Sequence, residues 1–203
     1  SPVSFQSLTN TSLEKRVTTV GQVHPHVEVK IVDNAGRIVP RGSTGELLTR
    51  GYSVMLGYWG DETKTAEAID AAGWMHTGDL AVLDDEGYCN IVGRVKDMVI
   101  RGGENLYPRE IEELIYHFPG IYEAAVIGID DKLRGQAGAC FYSVQDGARV
   151  NIRELKKFLQ QNLALYKIPR EFHELDELAK TTTGKIAKRE ILKDFYASKP
   201  VRK

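Results

Sequence analysis

The sequence predicts an α+β fold in two parts, a β-rich stretch followed by a small unit of alternating strands and helices. Three observations carry this. From Gly21, short apolar runs at period two are separated by Asp- and Gly-containing turns, with one helical pattern among them. After Gly93-Arg94 the pattern becomes a regular α+β alternation, with apolar residues at i, i+3, i+4 and i+7 in its helices. The change falls near Arg94 to Lys96, which divides the chain into residues 1–94 and 95–203.

Residues 1–20 are polar and weakly patterned, and read as a connecting segment or the remainder of an upstream domain. Val27, Val29 and Ile31 alternate with Glu28 and Lys30, giving a strand with one apolar face. Asp33-Asn34-Ala35-Gly36 is a turn, with Arg37-Ile38-Val39 as a candidate return strand. Residues 45–51 form a strand bounded by glycines. Residues 61–72 read as a helix, with Asp61 or Thr63 as its cap and Gly73 past its end. Strands at 80–83 and 88–92 flank Asp84-Asp85-Glu86-Gly87, a hairpin signal.

In the second part, residues 98–100 are a strand and 101–105 a glycine loop. Pro108 opens a helix, where its fixed φ and missing N–H cost nothing. Ile111, Leu114, Ile115 and Phe118 share one face of that helix, and Pro119-Gly120 stops it. Strands are expected at 123–129, 137–144 and 171–174. Asn151 caps a helix with Ile152, Leu155 and Leu159 inward, and residues 188–196 form the last helix around Ile191, Leu192 and Phe195.

With 203 residues and 42% hydrophobic content, the chain can bury a real core. A net charge of −1 argues against a dedicated nucleic-acid or membrane binder. Charge is uneven, however: Lys185 to Lys203 holds seven Lys/Arg against two Asp/Glu. That tail reads as a solvated helix face or as a surface for a polyanion. The two cysteines, Cys89 and Cys140, sit in apolar contexts without metal-ligand spacing, so free buried thiols and a reducing cytoplasmic location are expected. No apolar run approaches a transmembrane span, and the start at Ser1 is neither a signal peptide nor a Met, which suggests a fragment.

Four segments in order carry a resemblance. They are Gly57-Tyr58-Trp59 with Gly73-Trp74-Met75-His76-Thr77-Gly78-Asp79; Gly87-Tyr88 with Gly93-Arg94-Val95-Lys96-Asp97; Arg101-Gly102-Gly103-Glu104-Asn105-Leu106-Tyr107-Pro108; and Thr183-Gly184-Lys185. Together they resemble the adenylate-forming (AMP-binding) superfamily, and residues 96–105 look most like fatty-acyl-CoA synthetases and 4-coumarate-type relatives. The resemblance spans roughly residues 20–196. It implies that 1–94 is the C-terminal β-rich portion of the AMP-binding N-terminal domain, and 95–203 the mobile C-terminal domain. The family's Ser/Thr/Gly-rich phosphate loop and its Tyr-Gly-x-Thr-Glu motif are absent from this sequence. The resemblance places both in a missing N-terminal part of the same enzyme. Gly135-Gln136 stands where relatives often carry Gly-Glu.

The resemblance implies a role for each motif, beside a plainer reading. Asp79 would accept hydrogen bonds from the ribose hydroxyls of ATP; by itself it is an Asp at a turn before a strand. Arg94 would make a second ribose or phosphate contact through its rigid donor fork, or be a surface Arg in an ion pair. Ile91 would line the nucleotide pocket or be a core side chain. Lys96 would be the hinge about which the C-terminal domain turns, or a merely exposed Lys. Gly102 and Gly103 would line the pantetheine tunnel for coenzyme A, and could equally form a hairpin turn. Lys185 would be catalytic, bridging the α-phosphate and the substrate carboxylate during adenylation; as a bare feature it is a loop lysine.

The implied activity is that of an ATP-dependent acid–CoA ligase, with a carboxylic acid, ATP, Mg²⁺ and coenzyme A as partners. The Mg²⁺-binding Glu is expected outside this sequence, no metal ligand is expected within it, and the fragment alone should be inactive. Two other readings stand beside it. One is an adenylation domain that loads a carrier protein. The other is a non-catalytic binding module, such as one for nucleic acid, which would need stacking aromatics and a basic stripe on a sheet face. The strands at 123–129 and 137–144 offer Phe141 and Tyr142 but no Lys or Arg.

Overall fold

A computed structural model describes residues 3–198. They divide into two compact units, Ser1–Lys96 and Asp97–Lys203. Of the basic tail, residues 199–203 lie outside the described residues.

The first unit runs β1 (Phe5–Gln6), α1 (Leu13–Thr18), β2 (Gln22–Val23), β3 (Val27–Val32), β4 (Gly45–Gly51), α2 (Glu62–Ala68), β5 (Met75–Leu83) and β6 (Cys89–Arg94). β3, β4, β5 and β6 form an antiparallel sheet in chain order, and β1 pairs with β2 beside them. Ile31, Leu47, Ala81 and Cys89 form its buried cluster. Trp74, just before β5, is covered by two cations, with Lys30 Nζ 4.2 Å and the Arg50 guanidinium 4.5 Å from the ring centre.

The first twenty residues, weakly patterned in sequence, pack onto the β5–β6 turn: Ser12 caps α1, and Lys15 pairs with Asp84 (2.5 Å) and Glu86 (3.0 Å). Two expectations for this unit are corrected. The expected helix over 61–72 ends at Ala68. There Asp70 Oδ1 accepts from the Ala72 and Trp74 amides, at 2.9 Å each, and this local turn outcompetes helix continuation. Arg37–Val39 makes only an isolated bridge, Val32 to Ile38, because Asp33 Oδ1 draws in the Ala35 and Arg37 amides and closes a tight turn. Asp61 is the α2 cap, accepting from the Lys64 amide.

A single 3₁₀ turn, Val95–Asp97, leads into the second unit. Its elements are β7 (Val99–Arg101), β8 (Glu104–Leu106), α3 (Pro108–Tyr116), β9 (Ile121–Asp131), β10 (Gly135–Val144), α4 (Ile152–Asn162), β11 (Glu171–Glu174) and α5 (Lys188–Ser198). β10 pairs antiparallel with β9 on one side. On the other it meets β11 in parallel, and at Gly135 it meets β7, which carries β8.

Both faces of this sheet are buried. Ala124, Val126, Cys140 and Tyr142 face Ile111 and Ile115 of α3 and Leu155 and Leu159 of α4. The alternate residues Ala125, Ile127, Ala139 and Phe141 pack with Leu178 and with Ile191 and Phe195 of α5. Two covered faces explain why β9 and β10 read as nearly continuous apolar runs. Phe141 and Tyr142, 2% and 3% exposed, belong to the core and form no stacking face. Gln136 has a visible task here: its Oε1 accepts from the Ile100 amide at 2.9 Å and joins β10 to β7.

Burial raises both thiols, Cys89 to about 12 and Cys140 further, so neither is a thiolate near neutrality. Among the described residues, no helix is long and apolar enough to cross a membrane.

Candidate active site

The segment Thr77-Gly78-Asp79 is a bulge inside β5, not a turn before a strand. Glu46 of β4 stands opposite Leu80 while Leu48 stands opposite His76, so Thr77, Gly78 and Asp79 together oppose Leu47. Gly78 takes φ +70°, which an L side chain rarely adopts. The bulge is tied down on both sides. Thr77 Oγ1 donates to the Leu47 carbonyl at 2.7 Å and accepts from the Asp79 amide at 3.1 Å. Glu46 receives the Gly78 amide on one oxygen, and its other oxygen lies 3.0 Å from His76 Nδ1.

The bulge turns Asp79 toward a cavity of about 270 Å³, whose walls include Phe5, Leu47, Met75, Thr77, Asp79 and Ile91. A half-buried carboxylate thus stands at the edge of an apolar floor. Asp79 and Arg94 are paired residues of β5 and β6, and Arg94 Nε lies 3.2 Å from Asp79 Oδ1. Arg94 is largely exposed and Ile91 half-buried on the same strand. Sequence reasoning missed Phe5, Leu47, Thr49 and Met75 of this cavity. Met75 and Thr77 had a signal, both falling inside the Gly73-to-Asp79 segment.

In the second unit, Gly102 and Gly103 are the two central residues of the β7–β8 hairpin, at φ +60° and +90°. Positive φ at both positions is what a type I′ turn requires. A β-carbon at Gly103 would meet nothing of the chain within 4 Å, so conformation and not crowding calls for glycine at this position. The Lys96 side chain is exposed, on the Val95–Asp97 turn.

Lys185 sits on a second tight turn. Lys180 bridges to Ile186, the Thr181 amide donates to the Lys185 carbonyl (2.7 Å), and the Gly184 amide donates to the Thr181 carbonyl (2.9 Å). Gly184 takes φ +78°, and the Lys185 amide donates to Thr181 Oγ1 at 3.2 Å. The Lys185 ammonium itself is exposed and has no hydrogen-bond or ion-pair partner among the described residues. Among the described residues no group of three or more His, Cys, Asp or Glu is arranged to hold a metal ion.

The AMP-binding enzyme model matches residues 1–59 and the AMP-binding enzyme C-terminal domain model matches 110–185. YngI of Bacillus subtilis, named as an acyl-CoA synthetase, is 48% identical over 93% of this chain and 34% of its own length. The mitochondrial medium-chain acyl-CoA ligase ACSF2 of Danio rerio is 44% identical over 94% of this chain and 32% of its own. ATP-bound MatB from Rhodopseudomonas palustris superposes with a TM-score of 0.81 at 34% identity, over 89% of this chain and 36% of that one. The chain belongs to the adenylate-forming AMP-binding enzyme family. It spans about a third of the length of the curated relatives it matches.

Proposed function

We propose that this chain is part of an ATP-dependent acyl-CoA synthetase, residues 1–94 completing a nucleotide site and 95–203 acting as a mobile catalytic domain. The observation that carries the reading is the bulged strand that aims Asp79 into an apolar-floored cavity. A carboxylate accepts from two neighbouring hydroxyls because it has two oxygens and no competing donor. Asp79 Oδ2 is outside the Arg94 contact and available to a ribose hydroxyl, and Arg94 is close enough to share the same sugar or a phosphate. The cavity is of a size for part of a nucleoside, and its apolar wall at Ile91 suits a flat ring or a sugar face.

In the reaction proposed, a carboxylate oxygen attacks the α-phosphorus of ATP and pyrophosphate leaves. The thiol of coenzyme A then attacks the acyl carbon, and AMP leaves. Lys185 serves the first step: an unpaired ammonium on a flexible stem can meet negative charge as it builds on the phosphate and carboxylate. Gly102 and Gly103 serve the second, their open backbone lying along the pantetheine arm. The two steps need different edges of one small domain, which a rigid turn about the exposed Lys96 would supply in sequence. The described residues offer no Mg²⁺ cluster.

ACSF2 is named a medium-chain acyl-CoA ligase, which favours an aliphatic, fatty acid over an aromatic one. A carrier-protein acceptor is the competing reading, and free coenzyme A distinguishes them. The test is ATP–pyrophosphate exchange by the whole protein across acids of increasing length, followed by thioester formation with coenzyme A or a phosphopantetheinylated carrier. Exchange without transfer to free coenzyme A would move the function to carrier loading. Residues 1–203 by themselves, without a glycine-rich phosphate loop, are expected to show no exchange; robust exchange would overturn the division of labour proposed.

A further inference from the structure

Three lysines lie close together around the Lys185 turn, and their surroundings differ. Lys180 precedes the turn, and its Nζ lies 3.1 Å from Glu123 Oε1 on β9 and 3.8 Å from the exposed Glu177. Lys188 follows the turn as the first residue of α5. Its Nζ lies 2.6 Å from Glu112 Oε1 on α3 and 3.3 Å from the Val126 carbonyl on β9. The same Glu112 oxygen accepts from the Val126 amide at 2.7 Å. Only the middle lysine, Lys185, is left without a partner among the described residues.

Both carboxylates are mostly buried, Glu123 being 19% and Glu112 14% exposed. An ion pair in such a setting is screened less than a surface pair, and removing one partner leaves a costly uncompensated charge. Glu123 Oε2 is buried without a hydrogen-bond partner among the described residues, so Lys180 is the one group compensating that carboxylate. Between the two pairs the stem is a short ladder: Ala187 N donates to the Ala179 carbonyl, Lys180 bridges Ile186, and Ala187 and Leu178 are buried. The turn beyond it has only its own backbone and threonine hydroxyl bonds to give it shape.

We propose that Lys180 and Lys188 are positioning residues: through Glu123 and Glu112 they fix the stem of the turn from which Lys185 projects. The device separates two jobs that one residue type performs badly together. Two ammonium groups are spent on anchoring, and the third is kept at a defined position with its charge uncommitted. The catalytic part of this inference rests on the role proposed above for Lys185; the anchoring part does not.

Amide hydrogen exchange on this chain reads the anchoring without any catalysis. In Lys180→Met and in Lys188→Met, the Gly184, Lys185 and Ala187 amides should exchange about tenfold faster, while the β9–β10 ladder keeps its protection. Lys180→Arg and Lys188→Arg should restore slow exchange. Unchanged exchange, or a rise of equal size throughout β9 and β10, overturns the proposal. If a Met variant fails to fold, Glu123→Gln and Glu112→Gln keep the shape and remove the charge, and the same local rise is required of them. In the whole protein the Met variants should slow adenylation by about 10- to 100-fold, since an ångström of misplacement is worth about 10² in rate. The KM for ATP and thioester formation from supplied acyl-AMP should not move. Faster exchange with undiminished adenylation would uphold the anchoring and overturn the role of Lys185.

Discussion

Asp79 and Lys185 are held in opposite ways. Asp79 lies within a four-stranded sheet, its backbone fixed by a bulge and its carboxylate already engaged by Arg94. Lys185 lies outside any strand, on a five-residue turn, with its ammonium uncommitted. The difference fits the roles proposed for the two groups. A group that binds in the resting state gains from preorganisation, because less ordering remains to oppose binding. A group that stabilises charge only at the transition state must not be neutralised beforehand by a neighbour.

The widest separation between them should come from Lys185→Ala in the whole protein. Adenylation is expected to fall by about 10²–10³, as for loss of one oxyanion-type stabiliser. ATP affinity and thioester formation from ready-made acyl-AMP should be nearly unchanged. Equal losses in both half-reactions would falsify the assignment to the first step.

Asp79→Ala should break the comparison from the other side. Loss of charged hydrogen bonds is expected to weaken nucleotide binding by about 10- to 100-fold, and the cause lies in the ground state. Equilibrium titration with ATP or AMP checks it. An unaltered affinity with lowered turnover would place Asp79 with Lys185 instead.

Gly103 sharpens the contrast, because its environment within the unit is empty. Gly103→Leu should slow thioester formation about tenfold by standing in the way of the thiol arm, a displacement of the kind that misaligns reacting groups. It should spare adenylation. Gly103→Asn tolerates positive φ and is smaller, so it separates bulk from backbone strain. If both variants impair both half-reactions alike, the hairpin is structural only.

The smallest expected effect is on stability against acid. Lys15 holds the Asp84 carboxyl below its ordinary value of 3.8, and backbone amides do the same for Asp70. A group with a depressed folded value contributes stability above its unfolded value and loses it as pH falls through the folded one. The first unit should therefore weaken as pH falls below about 4, and Lys15→Met should flatten that dependence. Urea midpoints measured on either side of this range decide it; an unchanged slope in Lys15→Met removes the linkage.

Much of this architecture was legible because it rests on local chemistry. Period two located β3, bounding glycines located β4, Pro108 and Asn151 marked the starts of α3 and α4, and paired glycines marked the β7–β8 turn. The failures share a cause as well. The Asp70 turn that ends α2 and the Asp79 bulge both depend on which residue stands opposite or four places on, and neither leaves a periodic trace. The Lys180–Glu123 and Lys188–Glu112 pairs join residues 57 and 76 positions apart, a separation no local pattern encodes. The site motifs could be found by resemblance, whereas the shell that holds them could not.

Each unit also carries one fully buried thiol, Cys89 in the first and Cys140 in the second, both kept protonated by their surroundings. Neither sulfur can react with an alkylating reagent until its unit opens. The chain therefore contains two native clocks of opening, one in each half. The order in which they are alkylated reports which half comes apart first, with no label introduced and no residue changed.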